Sequence, residues 1–364
     1  MIFNTEFYEV FLPPNFLIGI ACLVSFIITF ITIPSIVRVS TIKSLVALPN
    51  GRTSHINPTP NLGGVAIFAG VIISSVLFTG ITTAHELKYI IAAMIIIFFI
   101  GLKDDLHPMT AYKKFIGQSV ATLFILIPGD LHLNFLHGLI GINEISYFPS
   151  LIISYVLFLA LINSFNLIDG IDGLASGIGI LTSIFFGVVF LMDNQLAYAI
   201  MSFILASSLL AFFYFNVFSK KNKIFLGDTG AMLTGLLMGI FAIQFLNVEA
   251  ENIFFKQGQS APAILLAVLI VPLFDTARVF LLRIARGKSP FEADRNHIHH
   301  RLLSLTGSHM KATSIILLVN VLMVTIALIL RNVGTELLIG IILVMVMALS
   351  YIPVYLKKRK TDTL

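Results

Sequence analysis

With one cysteine, Cys22, in 364 residues, the chain can form no internal disulfide and build no cysteine-rich metal site. Charge is almost as scarce: Asp, Glu, Lys and Arg make up 11% of the residues, against 57% hydrophobic. That composition excludes a soluble globule hiding its apolar side chains in one core, and it implies a polytopic membrane protein. There is no internal repeat, low-complexity tract or linker, so a single domain over residues 1–364 is expected. The net charge of +5 carries no nucleic-acid signature, since basic loops are general among membrane proteins and anionic lipid is the nearer partner. The extreme N-terminus holds Glu6 and Glu9 where a signal peptide would be basic, and the first apolar run outlasts a signal-peptide core. An uncleaved membrane helix is expected there.

What is abundant is apolar sequence. Eleven segments are delimited, centred in residues 13–37, 62–82, 87–102, 113–129, 148–165, 174–192, 195–215, 229–247, 260–282, 312–331 and 335–356. The third and fourth are short for a span of about 20 residues. The expected fold is therefore all-α and polytopic, with about eleven transmembrane helices. Residues 131–147 form the longest outer connection, and their alternation around Gly138 and Gly141 predicts a small β-hairpin. Lys and Arg choose the orientation. Arg38, Lys43, Arg52, Lys103, Lys113, Lys114, Lys220, Lys221, Lys223, the cluster from Arg278 to Lys311 and the tail Lys357 to Lys360 fall on one face. Only Lys88, Lys256 and Arg331 fall on the other, which places the N-terminus outside and the C-terminus in the cytoplasm. Pro272, inside the ninth segment, is expected to kink or break that helix; an ordinary proline kink is the preferred reading, and a groove that admits a polyprenyl tail is the alternative.

Under this topology the unusual polar residues gather on the cytoplasmic face. The loop after the third segment holds Asp104 and Asp105; that after the fifth holds Asn166, Asp169 and Asp172. After the seventh come Asn216, Lys223 and the run Phe-Leu-Gly-Asp-Thr-Gly containing Asp228. After the ninth come Asp275, Arg278, Arg283 and Arg286, then the run from Gly287 to His300 with Arg295, His297 and His299. Several carboxylates beside several cations are what phosphoryl transfer needs: Mg²⁺ takes hard oxygens, and Arg and Lys clamp phosphate. Each set has an ordinary alternative. Asp104 and Asp105 can be loop acids, Asp169, Asp172 and Asp228 can cap helices, and the histidines can bind zinc, although Arg295 and Arg301 beside them suit an anion better. Their joint occurrence on one face is what points to a site. A secondary transporter is the rival from another class, but it predicts acids at helix midpoints and matched halves.

The strings around Asp104-Asp105, Asn166 to Gly173, Phe225 to Gly230 and Lys288 to His300 resemble those of the polyprenyl-phosphate N-acetylhexosamine-1-phosphate transferases, relatives of the phospho-N-acetylmuramoyl-pentapeptide transferases. The likeness runs from about Asn50 to His300 and includes Arg52, His55, Pro58, Pro60, Gly63 and Gly64. The last motif, with Ser-Pro-Phe, Asp-Arg and His-Ile-His-His together, resembles the sugar-nucleotide branch.

The resemblance implies transfer of an N-acetylhexosamine-1-phosphate, most often GlcNAc-1-phosphate, from a UDP-sugar to undecaprenyl phosphate at a bacterial inner membrane, with release of UMP. Lipopolysaccharide O-antigen and related surface polymers begin this way. The implied cofactor is Mg²⁺, with Mn²⁺ as the substitute. The implied partners are undecaprenyl phosphate, a UDP-N-acetylhexosamine and membrane lipid, with no nucleic acid, and a homodimer is left open. By motif, Asp104, Asp105 and Asp228 are expected to be catalytic, and Asp228, Asp169 and Asp172 to hold the metal. Lys114, Asn166, Asp169, Asp172, Asn216, Arg283, Arg295, His297, His299 and His300 are expected to bind substrate. Lys114 is the choice for the lipid phosphate, four residues before Gln118 on one helical face.

Overall fold

A computed structural model describes residues 13–45, 59–79, 86–247, 260–287 and 297–362. Asn50, Arg52, His55, Pro58 and Arg295 lie outside the described residues. The fold is all-helical: α1 (Pro14–Ile42), α2 (Gly63–Phe78), α3 (Leu87–Leu106), α4 (Ala111–Leu126), α5 (Tyr147–Ile168), α6 (Leu174–Met192), α7 (Leu196–Phe213), α8 (Gly227–Asn247), α9 (Ala261–Val268), α10 (Ile270–Ala285), α11 (Ile298–Thr306), α12 (His309–Ile329) and α13 (Thr335–Asp362).

Each of the eleven apolar segments contains a helix, but fewer qualify as membrane spans. Seven described helices are long and apolar enough to cross, and α9 with α10 makes an eighth if counted as one broken span. Helices α2 and α4 have 16 residues each. At 1.5 Å per residue such a helix is only about 24 Å long, short of a hydrocarbon core of about 30 Å. Helix α3 is longer but carries Lys88, Lys103, Asp104 and Asp105. The expected break falls where Pro272 puts it. Proline at 272 cannot donate to the carbonyl of Val268 and its ring crowds that carbonyl. The chain accordingly leaves helical geometry at Leu269, and α9 and α10 meet at 77°.

The expected β-hairpin is corrected: among the described residues no strand forms. Residues 131–147 contain one antiparallel bridge, Phe135 to Glu144, and a 3₁₀ turn at Leu139–Gly141. Positive φ at His137, Gly138, Ile140 and Gly141 curls the segment before a ladder can extend. Two short strands alone would be marginal in any case.

Helix α8 is the axis of the bundle. It is buried along almost its whole length and packs against α2, α3, α5, α6 and α7. Its small residues set how near the neighbours come. Gly235 and Gly239, one turn apart, face α5 so closely that added β-carbons would stand 2.6 Å from Ile162 Cα and 2.4 Å from Phe158 Cδ1. Gly64 of α2 touches the start of α8, where its β-carbon would stand 2.1 Å from the amide nitrogen of Gly230. Backbone cannot yield as a side chain can, so Gly64→Ala is expected to lower stability by about 1–3 kcal/mol in thermal unfolding of the detergent-solubilised protein. Gly19→Ala is the control, because nothing lies within 4 Å of its β-carbon, and it should leave the melting temperature unchanged.

Candidate active site

The polar end of α3 lies beyond its apolar stretch and meets the first turn of α8. Asp105 accepts hydrogen bonds there from the Asp228 amide at 2.8 Å, the Thr229 amide at 3.0 Å and the Thr229 hydroxyl at 2.6 Å. It therefore serves α8 as an N-cap does, but from another helix. Asn61 adds a bond from its amide to the Asp105 carbonyl at 3.2 Å. Both oxygens of Asp105 are thus occupied in holding Asp228 in place.

Asp228 is the centre of the site. Its Oδ2 pairs with Lys114 Nζ at 2.5 Å and its Oδ1 accepts from Asn166 at 2.5 Å. The same lysine reaches Asp104 Oδ2 at 2.6 Å, and Asp104 Oδ1 accepts from the Met109 amide at 2.5 Å. One turn further along α4, Gln118 is buried and bonded to Asn163 of α5 at 2.9 Å, which anchors the helix that presents Lys114. Asp104, Asp105, Asn166, Asp169 and Asp228 line one open cavity of about 460 Å³, closed on another side by Ser44, Leu45 and Asn61.

Four carboxylates thus gather here, and Lys114 pairs with two of them, Asp104 and Asp228. Burial, and after it the Asp228 carboxylate, pushes Asp104 up to about 6. Burial pushes Asp105 up to about 7 against the bonds from Thr229. Asp169, at the end of α5, is driven well above the ordinary carboxylate range by burial and then by Asp228, Asp105 and Asp172. This uncompensated negative charge on hard oxygens is a donor set suited to a divalent cation such as Mg²⁺. Asp228 and Asp169 both line the cavity and could hold such an ion, Asp228 by exchanging its bonds to Lys114 and Asn166.

The remaining expected residues sit around this cavity rather than in it. Asp172 pairs with Lys223 at 2.6 Å, and His309 Nδ1 stands 3.6 Å from the same oxygen. Its carbonyl accepts from Thr313 of α12 at 2.8 Å. Asn216 lies in a π-helical turn, Tyr214–Phe218, and is buried. It accepts from the Gly173 amide at 2.7 Å and donates to the Ile224 carbonyl at 2.9 Å, clasping two loops together. His297 and His299 turn inward onto Asp275, at 3.0 Å and 3.8 Å. Asp275 also takes Arg278 at 2.9 Å and the Ile298 amide at 3.0 Å. The ligand atoms of Asp275, His297 and His299 lie within 4.8 Å of one another, but Arg278 and the Ile298 amide already occupy the second Asp275 oxygen. Burial pushes the His299 imidazole down despite Asp275. His300 packs its ring 4.3 Å from that of His299, and Arg283 is buried with its guanidinium 5.8 Å from the Phe280 ring.

Sequence reading gave no role to Asn61, Thr229 or Asp275. Thr229 stands inside the Phe-Leu-Gly-Asp-Thr-Gly run and a helix-start signal was there to be read. Asn61 and Asp275 become important only through contacts 44 and 22 residues away.

A multi-pass helical bundle that gathers carboxylates, a lysine and an asparagine around one open cavity has the make-up of a membrane-bound phosphoryl-transfer enzyme. A profile of glycosyl transferase family 4 matches residues 87–246. The decaprenyl-phosphate N-acetylglucosaminephosphotransferase of Mycolicibacterium smegmatis is 33% identical over 305 residues, 78% of this chain and 74% of that protein. The probable undecaprenyl-phosphate N-acetylglucosaminyl 1-phosphate transferase of Bacillus subtilis is 29% identical over 92% of this chain and 91% of its own length. The undecaprenyl-phosphate alpha-N-acetylglucosaminyl 1-phosphate transferase of Escherichia coli O157:H7 is 29% identical over 71% of this chain and 69% of its own. The chain belongs to glycosyl transferase family 4, as a multi-pass membrane enzyme of its sugar-phosphate transferases.

The charge imbalance makes a prediction about the metal-free protein. A carboxylate whose folded pKa is raised destabilises the fold above its unfolded value and has no effect once both states are protonated. Asp169→Asn should therefore raise the melting temperature at pH 8 in chelator, and the gain should fade as pH falls toward the ordinary carboxylate range near 4.

Proposed function

We propose that the protein transfers N-acetylglucosamine-1-phosphate from UDP-N-acetylglucosamine to undecaprenyl phosphate, releasing UMP. The carrying observation is the cavity in which Asp104, Asp169 and Asp228 meet Lys114 and Asn166. The printed activities of the relatives from Bacillus subtilis and Escherichia coli O157:H7 support the choice of lipid and sugar. On the reading that α2, α3 and α4 cross with the other spans, the chain makes eleven crossings, and the Lys and Arg distribution supports a cavity on the cytoplasmic face of a bacterial inner membrane. A cytoplasmic nucleotide sugar and a membrane-held lipid phosphate meet at such a face.

An oxygen of the lipid phosphate attacks the sugar-linked phosphorus, the phosphoanhydride bond to the nucleoside phosphate breaks, and UMP leaves. One phosphoanhydride replaces another, so the barrier is chiefly the approach of two anions. Mg²⁺, held by Asp228 and Asp169, would supply charge neutralisation for the diphosphate when bound. Lys114 brings a cation to the lipid phosphate, and its ion pairs with Asp104 and Asp228 fix where that cation stands. Asn166 keeps Asp228 oriented, and Asp105 fixes the first turn of α8 beneath it.

Asp104 has no proton to remove. A phosphate monoester loses its second proton near pH 6, so the lipid nucleophile is already largely ionised at neutral pH. Asp104 positions Lys114 instead. The direct test is UMP release from a panel of UDP-N-acetylhexosamines, with and without undecaprenyl phosphate and Mg²⁺. Lipid- and Mg²⁺-dependent UMP with the N-acetylglucosamine donor is expected; transfer from another donor alone would replace the sugar, and none from any donor would sink the reading. In the same assay Asp104→Asn should lose activity across the whole pH range, whereas full recovery at high pH would establish proton transfer.

A further inference from the structure

Gly170 follows Asp169 directly, and its backbone is not in the left-handed region, so nothing in its conformation requires glycine. Space does. A β-carbon there would stand 2.3 Å from His299 Nε2, with 3.0 and 3.3 Å to two further atoms of the same ring and nothing nearer from any other residue. That ring is 1% exposed, and neither of its nitrogens makes a hydrogen bond among the described residues. A buried imidazole left in this state is poorly explained by stability, because each unsatisfied polar atom is a cost. Its place is nonetheless well fixed. Nδ1 lies 3.8 Å from Asp275 Oδ2, and the ring is flanked by those of His297 and His300 at 5.4 and 4.3 Å. Asp275 in turn is held by Arg278, His297 and the first amide of α11. An adjoining cavity of about 160 Å³ is lined mainly by aliphatic side chains such as Ile168, Leu302 and Val346, with Asp275 and Ser350 the polar residues beside His299.

We infer that His299 is a positioning residue: held between the rings of His297 and His300, its ring is the surface on which Gly170 seats the turn, and it thereby sets where the Asp169 carboxylate stands in the cavity. The histidine run then divides its work, with His299 facing the protein and not the substrate. The inference rests on the transferase reading only for its kinetic readout.

A double-mutant cycle tests it with wild type, Gly170→Ala, His299→Ala and the double variant, read as kcat, KM for UDP-N-acetylglucosamine and melting temperature. Displacement of the turn should lower kcat in Gly170→Ala by about tenfold to a hundredfold, with KM changed far less. Adding Gly170→Ala to His299→Ala should change kcat by less than about twofold, because the obstructing ring is gone. Losses of equal size in both backgrounds would overturn the inference, as would a fall in melting temperature with kcat intact, which marks a merely structural contact. If Gly170→Ala does not fold, recovery of folded protein in the double variant supports the seat and its failure to recover contradicts it. If the wild type transfers nothing, the transferase reading fails, and the melting-temperature cycle still decides the contact by the same relief or its absence.

Discussion

The carboxylate of Asp105 accepting the Asp228 and Thr229 amides in the first turn of α8 is the interaction on which the site depends. It joins the polar end of α3 to the most buried helix of the bundle, and it does so at the residue, Asp228, that pairs with both Lys114 and Asn166. A helix N-terminus carries unpaired amides and a partial positive charge. Supplying the cap from a neighbouring helix turns that local requirement into a tertiary constraint. The small residues of α8 carry the constraint through the bundle, since Gly235 and Gly239 let α5 approach closely and α5 ends at Asn166 and Asp169. Precision at the cavity follows from close backbone packing beneath it.

What the packing holds together is electrostatically unfavourable by itself. Asp104 and Asp105 are pushed up to about 6 and 7, and Asp169 well above the carboxylate range, because the cavity concentrates negative charge away from water. Only Lys114 among the described residues bridges two of these acids. Stability lost at a site of this kind is characteristic of function, where charge is arranged for a ligand and not for the folded protein alone. The neighbouring clusters differ in kind. Asp172 with Lys223 and Asp275 with Arg278 are compensated ion pairs, His297 adds a hydrogen bond to Asp275, and together they brace the turn after α5 and the start of α11.

Much of this was legible in the sequence, for identifiable reasons. Hydrophobic runs locate helices because the membrane demands them, and Pro272 located the break to within a few residues because its missing amide acts at a fixed offset. The acids were found because charge is rare here and stood out. Span count was less legible: α2 and α4 are apolar but short, and length rather than hydropathy decides. The hairpin failed because positive φ at non-glycine His137 and Ile140 has no sequence signature. Roles within the site were least legible. Nothing in the motif foretells that the side chains of Asn216 and Asp172 clasp Gly173 and Lys223, and Asp275 gains its meaning only from His297 and Ile298 arriving from a later segment.

The central claim, that the acid cavity exists to hold a divalent cation beside a phosphorylated substrate, is most directly tested by Mn²⁺ titration of the purified protein followed by electron paramagnetic resonance. One Mn²⁺ per chain is predicted, displaced by Mg²⁺, lost in Asp228→Asn and unaffected by Asp130→Asn, whose carboxylate stands by His132 well away from the cavity. Absence of a site, or a site of unchanged affinity in Asp228→Asn, would contradict the account.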